Sequence, residues 1–104
     1  MTKEEKIYNE IGQSLTGAEQ SQMFGKPCFK INGKTFICFF EKNMVFKLSG
    51  NTLGIALSLE GSELFDPSGK RRPMKEWVQI IAKHKDKWPR FAKAAFDYVQ
   101  LSSQ

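Results

Sequence analysis

Residues 26–48 read KPCFKINGKTFICFFEKNMVFKL, and the fold turns on how this stretch pairs with itself. Asn32-Gly33 lies between two apolar segments, PCFKI (27–31) and KTFICFF (34–40). Asn-Gly is the favoured pair for a two-residue hairpin turn, because both positions take positive φ. A regular turn there sets Ile31 opposite Lys34 and Phe29 opposite Phe36. Alternation then gathers Pro27, Phe29, Ile31, Phe36, Cys38 and Phe40 on one face, read as the core face. Cys28, Lys30, Thr35, Ile37 and Phe39 fall on the other. Cys28 and Cys38 thus stand on opposite faces, and no disulfide between them is expected. A three-residue loop, Glu41-Lys42-Asn43 with Asn43 left-handed, lets Phe40 pair with Met44. Met44, Phe46 and Leu48 then continue the core face, and residues 23–48 read as an antiparallel meander.

Upstream, Thr2 and Glu5 have capping-box spacing, and Ile7, Ile11 and Leu15 follow at steps of four. That pattern predicts a helix from Thr2, ended by Gly17. Downstream, Ser49 to Gly61 reads as a short helix with Leu53, Ala56 and Leu57 on one face. Two short strands flank Asp66-Pro67-Ser68-Gly69, which matches a type I turn: a side-chain acceptor first, a preset φ second, glycine at the exit. MKEWVQII (74–81) is the second of these strands. A last helix begins near Asp86, with Trp88, Phe91, Ala92, Ala95 and Val99 on one face. Pro89 is tolerated there because the first helical turn has no use for its missing N–H. The order is α-βββ-α-ββ-α: an α+β fold with a single antiparallel sheet and helices, in one domain over residues 1–104. Phe29, Phe36, Phe40, Phe46 and Trp88 are expected in one core.

The longest unbroken apolar run is five residues, Phe36 to Phe40, against the ~20 that a membrane helix needs. The first ten residues, MTKEEKIYNE, carry acids where a secretory signal is apolar. A cytoplasmic protein with two free thiols is the expectation, with no membrane partner. The net charge of +5 is unevenly spread: residues 70–93 hold nine Lys or Arg against two acids, a net +7, and the rest is −2. Such a segment attracts nucleic acid, an acidic protein or a small anion, or it serves only to keep the surface solvated.

The blocks MFGKPCFKINGKTFICFF (23–40), MVFKL (44–48), LFDPSGKRRPMKEWV (64–78) and KWPRFAKAAFDYV (87–99) together resemble the TfoX N-terminal domain family. The resemblance implies an antiparallel sheet with helices, similar to type III secretion chaperones. It implies a regulatory or protein-interaction module and supplies no catalytic residues. In the longer competence regulators, a domain of this kind precedes a helical C-terminal domain and acts with a transcription regulator on DNA-uptake genes.

The residues themselves offer little catalysis. Cys28 near Lys26 has the surroundings of an activated thiol, but a small strand residue explains it as well, and His84 is the only base of its kind. Two cysteines and one histidine lack the number and spacing for a structural zinc site, and no other cofactor is implied. Glu60, Glu63 and Asp66 are spaced as loop and turn acids are, not as a paired catalytic set. The chain is therefore read as a non-enzyme. GKRRPMK (69–75) is the candidate binding segment: Lys70, Arg71, Arg72 and Lys75 project from a turn that cannot bury them all. Pro73 stiffens Arg72, and Lys83, Lys85 and Lys87 reinforce the site if the last helix begins beside the loop. The favoured partner is another protein. The alternative is direct nucleic-acid or anion binding through residues 70–93.

Overall fold

A computed structural model describes residues 2–71 and 73–102. Helix α1 (Lys3–Ser14) is followed by strands β1 (Glu19–Met23), β2 (Lys26–Ile31), β3 (Lys34–Phe40) and β4 (Asn43–Lys47). Then come α2 (Gly50–Ser58), β5 (Glu63–Leu64), β6 (Trp77–Ile80), a 3-10 turn (Ala82–Lys87) and α3 (Trp88–Ser102). The six strands form one sheet in the order β1-β2-β3-β4-β6-β5, antiparallel at every junction. The α+β class and the single antiparallel sheet agree with the sequence reading. One strand is added to the expected order. β1, EQSQM, is polar and mostly exposed, so it has no apolar alternation to betray it.

Local chemistry places the elements. The backbone N–H of Glu5 donates to Thr2 Oγ1 at 3.1 Å, satisfying an exposed donor of the first turn of α1. Asn32 (φ 54°) and Gly33 (φ 79°) make the expected two-residue turn, with Ile31 opposite Lys34. Trp88, Phe91, Ala92, Ala95, Phe96 and Val99 form the buried face of α3. Trp88 Nε1 donates to the Ile80 carbonyl at 3.2 Å, which ties the start of α3 to the end of β6.

The register of the meander differs from strict alternation. Lys30 pairs with Thr35, but Phe29 pairs with Ile37, leaving Phe36 as an extra residue in β3. This bulge shifts the facing of everything beyond it. Ile37 and Phe39 join Phe29, Ile31 and Phe36 under the helices, whereas Cys38 turns to the back of the sheet beside Cys28, its direct cross-strand partner. Pro27, expected in the core, is exposed. The next turn is also shorter than expected. Phe40 pairs with Asn43 and Phe39 with Met44, so the loop is Glu41-Lys42, at φ 49° and 69°. Asn43 belongs to β4, and its Oδ1 accepts from Ala82 N at 3.3 Å.

Two cores result. The larger lies between the sheet and the helices and holds Tyr8, Phe29, Phe36, Phe46 and Trp88 among others. The smaller lies on the back face: Cys28, Cys38, Val45, Phe65 and Trp77, flanked by Met23, Phe40 and Met74. Phe40 therefore belongs to the back layer and not to the main core. No helix is long and apolar enough to cross a membrane among the described residues.

Candidate functional site

The back layer is roofed by the segment joining β5 to β6. Asp66 begins its turn as the sequence implied: Oδ1 accepts from Ser68 N at 3.2 Å, Ser68 Oγ at 2.7 Å and Gly69 N at 3.1 Å. The segment is pinned back onto the sheet by Phe65 N to Trp77 O at 2.7 Å and Met74 N to Phe65 O at 2.8 Å. Phe65 then packs edge-on against Phe40, ring centroids 5.2 Å apart. The described residues after Pro67 are thus held over the back face, with Lys70, Arg71 and Lys75 exposed.

Across from this turn stands the β1–β2 hairpin. Met23 pairs with Lys26, so Phe24 and Gly25 are its two turn residues. Phe24 has φ 54° and is 63% exposed. A left-handed conformation costs a side-chain-bearing residue ~1–2 kcal/mol, and an exposed ring earns no burial in return. Asn or Gly would satisfy the turn better. Phe24, Lys26, Phe40, Pro67 and Ser68 line an apolar groove of about 300 Å³ between the two turns. Lys26 Nζ lies 5.3 Å from the centre of the Phe40 ring, so the groove carries a cation at its edge. Lys47 stands over Trp77 on the same face at 5.6 Å.

Of the four basic residues predicted for binding, Lys70, Arg71 and Lys75 are exposed on the roofing segment, with Arg71 at φ 60°. Arg72 lies outside the described residues. The segment enters β6 at Trp77, while the 3-10 turn leaves it after Ile80. Lys83, Lys85 and Lys87 are therefore at the other end of β6 from Lys70 and Arg71, and the expected reinforcement does not follow. Lys83 instead pairs with Glu60 at 2.8 Å, and His84 Nε2 donates to the Glu60 carbonyl at 2.9 Å.

The remaining sequence candidates are dispersed. Glu60 pairs with Lys83, Glu63 is exposed on β5, and Asp66 is consumed by its turn. No group of three or more His, Cys, Asp or Glu that would hold a metal ion occurs among the described residues. Cys28 and Cys38 are free and 1% exposed. Burial, and then Cys28, push the Cys38 thiol up to about 12. Burial is also the main cause holding Tyr8 above the usual phenol range, followed by the two cysteines.

The sequence reading found the basic turn but missed Phe24, Lys26 and Phe40 as its neighbours. The available signal was Phe24-Gly25: an aromatic in a hairpin-length gap, where a polar turn residue is the norm. Comparison with models of known protein families, with curated proteins and with solved structures finds no match.

Proposed function

We propose that this chain is a non-catalytic, cytoplasmic protein-interaction module. Its groove takes an apolar side chain from an acidic segment of a partner protein. The observation that carries the reading is Phe24: a bulky, exposed ring on a left-handed turn, beside an apolar groove. Strain of that kind persists where the local structure serves something other than stability. Charge selects the partner class. Lys26 lines the groove, and Lys70, Arg71 and Lys75 project from the segment that forms its far wall, which favours Asp or Glu beside the anchor. The resemblance to the TfoX N-terminal domain family supports a regulatory use, and MFG and FDPSG, which carry much of it, are the two turns that frame the groove.

Nucleic-acid binding through residues 70–93 is less well supported. The basic residues divide between the two ends of β6, and Lys83, Lys87 and Lys93 already face acids. A backbone-tracking surface needs a continuous stripe.

The test is selection from a random peptide library displayed on phage, followed by fluorescence anisotropy. Selected peptides are expected to join an aromatic or aliphatic anchor to Asp or Glu. Their affinity should fall at least about tenfold, or ~1.4 kcal/mol, for Phe24→Asn and for Lys70→Ala/Arg71→Ala. Phe24→Asn should meanwhile melt no lower than the parent. Peptides that bind Phe24→Asn as tightly as the parent would refute the groove. Tight, salt-sensitive binding of single-stranded oligonucleotides that survives Phe24→Asn would favour the nucleic-acid reading instead.

A further inference from the structure

We propose that Cys28 and Cys38 are a redox pair, which exchanges with a low-molecular-weight disulfide of the glutathione type and closes to an intramolecular disulfide. The bulge at Phe36 makes the pair. It sets Cys28 directly opposite Cys38 in the β2–β3 ladder, with both residues in the back layer. Directly opposed residues of antiparallel strands have Cα atoms ~4.5–5.5 Å apart. That range lies within the ~4.4–6.8 Å that a disulfide spans. Without the extra residue the two thiols are on opposite faces and cannot meet.

Both thiols are 1% exposed and lie on the face of the sheet away from α1, with Phe65 and Trp77. Cys28 Sγ is 3.7 Å from Thr35 Oγ1. Whichever thiol reacts first, the other stands across the ladder from it, so the second step is intramolecular.

One of the two thiols loses its proton to solvent and attacks one sulfur of the reagent, forming a mixed disulfide and releasing one thiolate, which takes up a proton. The other thiol then loses its proton and attacks the sulfur of the first. The Cys28–Cys38 bond forms as the mixed disulfide breaks, and the second thiol leaves. Two electrons pass from the protein to the reagent, which ends as two thiols.

Intact-mass spectrometry after incubation with oxidised glutathione tests this. The wild type should lose the mass of two hydrogens and carry no adduct. Cys38→Ser and Cys28→Ser should each gain one glutathione, because neither can resolve the adduct. Cys28→Ala replaces Cys28→Ser if the buried hydroxyl prevents folding. Because burial slows reaction of the folded protein, a second arm refolds the wild type from urea in glutathione redox buffer, so that equilibrium is reached. Retention of both thiols there, or only intermolecular bridges, would overturn the pair.

Discussion

Gly12 is in the last turn of α1, where alanine is still the better helix former, by at most ~1 kcal/mol. A Cβ at this position would nevertheless collide with the ring of Phe29. Overpacking of a rigid core costs ~1–3 kcal/mol, so collision outweighs propensity. Gly12→Ala is expected to lower stability by roughly 1–2 kcal/mol in urea denaturation; a stabilised variant would mean that Phe29 yields freely. Cys38 is raised from 9.0 to about 12, and Tyr8 is raised also, both chiefly by burial. Their folded pKa values exceed the unfolded ones, so the stability linked to them is fully present below pH 9 and is lost as pH rises beyond it. Cys38 alone contributes a slope of about 1.4 kcal/mol per pH unit between its two pKa values. Stability measured from pH 8 to 11 should therefore fall, and Cys38→Ala should flatten the part that begins near pH 9. Local chemistry of this sort was legible where a residue acts on its own backbone, as Thr2 and Asp66 do. It was not legible for Gly12, whose constraint comes from a strand distant in sequence.

Among the elements, the β3–β4 hairpin carries the least suitable turn. Glu41 and Lys42 both adopt positive φ, which costs each of them ~1–2 kcal/mol relative to Gly. Replacing them by Asn-Gly, the pair found in the β2–β3 turn, should raise stability by about 1–2 kcal/mol. A lower midpoint in thermal or urea unfolding would show that the charges of Glu41 and Lys42 matter more than their backbone. The same hairpin shows why register was only partly readable. FICFF is apolar at every position, so alternation cannot report which residues face the helices. The sequence reading assumed an unbroken ladder; the ladder has an extra residue, and both the cysteine facing and the turn length changed with it. Helix α3, by contrast, was legible in detail, because its apolar residues repeat with helical spacing against polar ones.

On the scale of the molecule, the sheet is buried on both faces but unequally. Phe36 is fully buried in the larger core and meets Phe96 edge-on at 5.3 Å. Phe40 is only half-buried at the groove. Phe36→Ala should therefore cost ~3–5 kcal/mol, and Phe40→Ala roughly 1–2 kcal/mol, since less apolar area leaves water there. Equal losses in urea denaturation would contradict the two-layer description. Apart from β1, the order of elements was legible from the helices and turns. The back layer was not, because it is assembled from Phe65, Met74 and Trp77, whose roles depend on a segment folding over the sheet.

The place of β6 between β4 and β5 also bears on synthesis. β1 to β4 pair each with the next in sequence, but β4 finds its second neighbour only when Trp77–Ile80 has been made. Until then a nascent chain carries Met44, Val45 and Phe46 along an open β4 edge, and α3, which covers the sheet, has yet to emerge. Open apolar edges recruit other strands. Chains halted after residue 70 are expected to associate or bind chaperones, whereas those long enough to complete α3 should not, and ribosome-bound chains of graded length subjected to crosslinking measure the change.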